Sequence, residues 1–105
     1  MRMLLKVTIP VEAGNRLVHE GKLGTTIQGI LGELKPEAAY FVEDDGERTA
    51  FIVVNMDEAS QIPAVAEPFF LAMNARVEIH PAMTAADLAK AATSIEHAAK
   101  KYAKS

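Results

Sequence analysis

The sequence predicts an α+β domain built on one antiparallel sheet, and three observations carry that expectation. Short runs in which apolar residues alternate, the period of two of a strand, are separated by longer stretches with apolar residues at helical intervals. The dipeptide Asp45-Gly46 joins two β-rich runs, as in a tight hairpin. At 105 residues, 50% hydrophobic and 24% charged, the chain has the size and composition of a single folding domain, 1–105.

Each element follows from its own pattern. From Met3 to Ile9, Leu5, Val7 and Ile9 share one face while Leu4, Lys6 and Thr8 share the other, and Pro10 ends the strand. Between Val11 and Lys35, Ala13, Leu17, Ile27, Leu31 and Leu34 recur at helical spacing, interrupted at Gly21 to Gly24. "AAYFVED" and "RTAFIVVNM" form the hairpin strands. Ser60 to Asn74 reads as a helix with Pro63 in its first turn and Pro68 placed to kink or split it. "ARVEIHPAM" is a fourth strand, with Val77 and Ile79 opposite Arg76, Glu78 and His80. A terminal helix over about 84–104 opens with a Thr84-x-x-Asp87 capping pattern and carries Leu88, Ala91, Ile95, Ala98 and Tyr102 on one stripe.

The order is βαββαβ plus a C-terminal helix, which with right-handed crossovers is the ferredoxin-like arrangement. The strand ends Ile9-Pro10 and His80-Pro81 hint at a weak internal repeat. A sheet covered on one side should be apolar on one face only. The third strand breaks that rule, with Phe51 and Val53 on one face and Ala50, Ile52, Val54 and Met56 on the other, and so does the second, with Tyr40 and Val42 opposite Ala39 and Phe41. The expected cover for the second face is the same face of another copy, with the terminal helix as the rival cover.

The segments "ELKPEAAYFVEDDGERTAFIVVNM" and "QIPAVAEPFFLAMNARVEIHPAMT" resemble a bacterial family without an assigned reaction, and the whole chain resembles the dimeric α+β barrel group. The resemblance implies a ferredoxin-like fold whose sheets pack face to face in a homodimer. It also implies a menu of functions, because the group holds small monooxygenases, muconolactone isomerases, haem-handling proteins and members with no known activity.

The residues narrow that menu. "HEGKLGTT", His19 to Thr26, fails as a phosphate loop because Lys22 precedes the second glycine and no strand leads into it. A structural reading fits better: Gly21 ends one helix in the left-handed region and Thr25-x-x-Gln28 is a capping box starting the next, with a weak anion site at Lys22 and His19 as the alternative. His80 shares a strand face with Arg76 and Glu78, and pairing of the first and fourth strands would bring Lys6 and Thr8 beside them. A histidine next to a carboxylate is a general base in outline, so the candidate catalytic set is His80, Glu78 and Lys6, weighed against a salt-bridged interface of Lys6, Arg76 and Glu78 in which His80 only hydrogen-bonds at the strand end. Tyr40, Arg76, Thr8, Phe69 and Met73 form the candidate ligand-binding set, with core packing as the first reading of Tyr40, Phe69 and Met73.

Composition excludes other classes. No cysteine is present, so thiolate chemistry and cysteine-based metal sites are ruled out. His19 and His97 have charged or small neighbours, Glu43, Asp44 and Asp45 make a polar hairpin tip, and no paired-ligand spacing appears, so no metal or cofactor is expected. The net charge of −3 argues against nucleic acid, and the basic Lys100, Lys101 and Lys104 suit a helix C-terminus. The N-terminal apolar stretch is too short for a signal peptide or membrane span, so the expected location is cytoplasmic. Two readings emerge: a homodimer that is structural or binds a small organic ligand, and an alternative, a cofactor-independent monooxygenase or isomerase acting on a small organic acid, lactone or aromatic compound.

Overall fold

The computed structural model describes residues 1–103. β1 (Arg2–Ile9) is followed by α1 (Val11–His19), α2 (Leu23–Leu34), β2 (Ala38–Asp44), β3 (Glu47–Asn55), α3 (Ile62–Met73) and β4 (Arg76–Pro81), then by α4 (Ala85–Lys90) and α5 (Ala92–Tyr102). The strands lie in the order β2-β3-β1-β4 with every neighbouring pair antiparallel. That is a ferredoxin-like α+β arrangement, with α1 and α2 together filling the first crossover.

The turn chemistry explains the boundaries. Asp44 pairs with Glu47, so Asp45 and Gly46 form a two-residue loop, with φ of 55° and 80°. Two successive positive φ values match the right-handed twist of the flanking strands. The Glu43 carboxylate accepts the Gly46 N–H at 3.1 Å and ties the loop down. Gly21, at φ 68°, closes α1 in the left-handed region, as its sequence context predicts.

One face of the sheet carries the core. Met3, Leu5, Val7 and Ile9 of β1 and Ala50, Ile52 and Val54 of β3 pack with Leu17, Ile30, Val65, Phe69 and Met73 from the helices. Every second residue of β1 and β3 enters this layer, because successive side chains point to opposite sides of the pleat. The other face stays uncovered. Its rows run Ala38, Val53, Leu4, His80; then Tyr40, Phe51, Lys6, Glu78; then Val42, Thr49, Thr8, Arg76. None of the apolar residues in those rows joins the core cluster.

Three expectations are corrected. α2 starts at Leu23, with Lys22 as its N-cap, so no Thr25-x-x-Gln28 box forms; the Thr25 hydroxyl instead donates to the Lys22 carbonyl at 3.2 Å. α3 runs unbroken through Pro68. The missing N–H costs one intrahelical bond, and burial of Val65, Ala66, Phe69 and Met73 along one side holds the helix together.

The third correction is the terminal helix, which divides at Ala91, ahead of Thr93 and Ser94, weak helix formers. Leu88, Ile95 and Tyr102 are exposed, and neither α4 nor α5 buries a residue. These helices therefore do not cover the second sheet face. The domain is elongated, 59 × 29 × 21 Å with a radius of gyration of 17.7 Å, where a compact chain of this length would have about 13 Å. Lys104 lies outside the described residues.

The Thr84 cap does form. Thr84 Oγ1 accepts the Asp87 N–H at 3.1 Å and the Asp87 carboxylate accepts the Thr84 N–H at 3.0 Å. These hydrogen bonds, the Thr84 backbone N–H foremost, hold the Asp87 carboxyl below its ordinary pKa. A group lowered in the folded state stabilises the fold above its unfolded pKa and loses that contribution as pH falls through the folded value. The Cα chemical shifts of residues 85–90 are therefore expected to move toward coil below about pH 4. Helical shifts unchanged down to pH 2 would contradict the cap's role.

Candidate functional site

The open sheet face brings most of the sequence-predicted site residues together. Lys6, Thr8, Tyr40, Arg76, Glu78 and His80 all lie on it, in the three adjacent cross-strand rows. Phe69 and Met73 do not join them. Each is 1% exposed in the core on the other side of the sheet, so the ligand-binding set inferred from sequence is divided between two faces.

The ion pairs on this face also differ from those expected. Lys6 Nζ reaches Asp44 at 2.7 Å, and Arg76 donates to Glu47 at 3.2 Å, so both cations are engaged by the hairpin rather than by Glu78. The hydrogen bond to Asp44, reinforced by that carboxylate's charge, raises the Lys6 pKa above its ordinary value. A lysine held charged in this way is a donor, not a base. His80 Nε2 stands 3.7 Å from Glu78 Oε1, too far for a hydrogen bond, and the histidine side chain is 60% exposed. Among the described residues no third group orients the imidazole, whereas general-base sites hold the base within hydrogen-bond reach of an orienting partner.

The centre of the face is apolar. Leu4, Phe51 and Val53 are half-buried, Val42 is exposed, and Tyr40 is 66% exposed beside its cross-strand partner Phe51. Thr8 and Thr49 are buried side by side below this patch. Two pairs of charged residues on this face, Lys6 with Asp44 and Arg76 with Glu47, cancel within one protomer. At the sheet edge, Arg2 forms a two-bond fork with Glu37, at 3.0 and 2.8 Å, which lowers the Glu37 pKa.

A second concavity lies on the helix side, between the start of α2 and the hairpin. It encloses about 380 Å³ and is lined by Ile9, Leu23, Ile27, Phe41, Val42 and Ala50, with Thr49, Glu43 and Arg48 as its polar members. Sequence reasoning treats Phe41 as ordinary strand packing and passes over Arg48. The available signal is Gly14, a residue that costs a helix interior about 1 kcal/mol relative to alanine unless a neighbour needs the space. Here the neighbour is Arg48, whose Nη1 lies 2.5 Å from where a Gly14 Cβ would stand. At the sequence-predicted anion site, Lys22 Nζ turns to Glu20 at 3.6 Å.

Among the described residues no group of three or more His, Asp or Glu side chains is arranged to hold a metal, and no helix is long and apolar enough to cross a membrane. The model of a domain of unknown function, DUF3303, matches residues 32–96, from the end of α2 into α5. The chain belongs to this family. Membership covers the hairpin, α3 and β4, the elements that carry the two resembling segments, and the capped α4 beyond them. A search of curated proteins finds no match. Among solved structures, the chain is similar to a formyltetrahydrofolate deformylase from Pseudomonas putida KT2440, at 16% identity and a TM-score of 0.50. The similarity covers 78% of this chain and 29% of that one, so this DUF3303 chain spans less than a third of the deformylase. At that identity the likeness supports the α+β fold alone.

Proposed function

We propose that this protein is a non-catalytic homodimer that associates through its open sheet face and binds a small organic ligand. The observation that carries the dimer is the uncovered apolar patch of Leu4, Tyr40, Val42, Phe51 and Val53, which neither the crossover helices nor α4 and α5 bury. Burying five such side chains from each protomer, already partly shielded, contributes on the order of 10 kcal/mol, comparable with the loss of rigid-body freedom on association. The ion pairs Lys6–Asp44 and Arg76–Glu47 let four of the surrounding charges approach a second copy already compensated. Dimerisation by sheet packing is what the dimeric α+β barrel resemblance implies, and an interior location suits a chain without cysteine.

Native mass spectrometry of protein purified without denaturation tests both halves of this reading. A dimer with a retained small mass is expected; a monomer would contradict the association. The enzyme alternative rests on His80, and the missing orienting partner weighs against it. His80→Ala is accordingly expected to change stability by no more than about 0.5 kcal/mol and to leave dimer and retained mass as they are. Loss of a turnover shown by the unaltered protein would restore the monooxygenase or isomerase reading.

A further inference from the structure

We propose that the cleft between α2 and the hairpin binds a small apolar carboxylate, anchored by the Arg48 guanidinium; this rests on the binding-protein reading above and names its ligand class. The cleft's volume, about 380 Å³, lies within the range of small-molecule sites. Its walls are Ile9, Leu23, Ile27, Phe41 and Ala50, and Phe41 is 54% exposed although its strand neighbour Ala50 is buried in the core. An aromatic ring left open beside a closed core is a surface still to be covered by something apolar.

Arg48 supplies the charge. Its Nη2 donates to the neutral Asn15 Oδ1 at 3.0 Å, and it takes part in none of the ion pairs among the described residues. The cross-strand partner is Glu43, also on the cleft wall, yet the Glu43 carboxylate turns to the Gly46 N–H instead of to Arg48. Gly14 leaves the space through which the guanidinium passes. A planar fork of donors engaged in no ion pair among the described residues, beside an apolar wall, matches a carboxylate carried on a hydrocarbon body.

The test is a ¹⁵N,¹³C NMR titration with octanoate, and with octan-1-ol and octylamine as probes of the same chain length. Octanoate is expected to shift the signals of Leu23, Ile27 and Phe41, with octan-1-ol weaker and octylamine inactive there. Arg48→Gln is expected to weaken octanoate roughly tenfold, the worth of a charge-assisted hydrogen bond, with the rest of the spectrum native. Gly14→Ala pushes the guanidinium aside without removing its charge, and is expected to weaken octanoate as well. Equal binding of octan-1-ol, octanoate affinity unchanged in both variants, or shifts confined to Tyr40 and Phe51 would overturn the assignment. If octan-1-ol or octylamine alone occupies the cleft, the ligand class falls while the binding reading stands; if none of the three binds, both fall.

Discussion

Phe69→Ala is expected to destabilise the domain by about 3–5 kcal/mol, the cost of emptying a closed aromatic site. Phe69 is 1% exposed in α3, packed with the residues of β1 and β3 that face the helices. Whole domains of this size are stable by only about 5–15 kcal/mol, so the variant should lose a large part of its margin. Its melting temperature should fall by roughly 15 °C or more, read by far-UV circular dichroism. The control is one residue away: Phe70 is 40% exposed on the other side of the same helix, and Phe70→Ala should cost about 1 kcal/mol or less. Similar losses for the two variants would contradict the inward placement of Phe69.

Phe51→Glu is expected to turn the dimer into a monomer while leaving the fold intact. Phe51 sits in the middle row of the open face, between Tyr40 and Lys6, so in the proposed dimer its two copies would lie near the centre of the sheet-to-sheet contact. Each substitution removes roughly 2 kcal/mol of apolar burial, and the introduced carboxylate must be desolvated as well. Two copies together should raise the dissociation constant at least about a thousandfold, measured by sedimentation equilibrium. The monomer should keep its thermal stability, because Phe51 lies outside the core cluster. An undiminished dimer would place the contact elsewhere, with Leu71, 80% exposed on α3, or the stripe of α4 and α5 as the rival surfaces.

Patterns that depend on near neighbours along the chain are legible in the amino-acid sequence itself. The period of two in β1 and β4, the Asp45-Gly46 hairpin and the Thr84-x-x-Asp87 cap all follow from which dihedrals and hydrogen bonds a few adjacent residues permit. The two-faced apolar character of β2 and β3 is legible too, because strand parity alone decides which side chains share a face. What escapes depends on long side chains choosing partners across strands. Lys6 could reach either Glu78 or Asp44 from its place in the sheet, and only the relative position of the hairpin decides for Asp44. The misplaced cap at Thr25 has a local cause: Gly21 in the left-handed region lets the chain restart its helix at Leu23, three residues earlier than the T-x-x-Q pattern implies. The stripe on the terminal helix is real as a pattern, yet an apolar stripe states only that a partner is wanted, and α5 buries none of it among the described residues.

That the open sheet face is where two copies meet is most directly tested by isotope-filtered NOE spectroscopy on a dimer mixed from labelled and unlabelled protomers. Contacts between protomers are expected at Tyr40, Val42, Phe51 and Val53. Contacts confined to Leu71, Leu88 or Ile95, or no contacts between protomers at all, would contradict it.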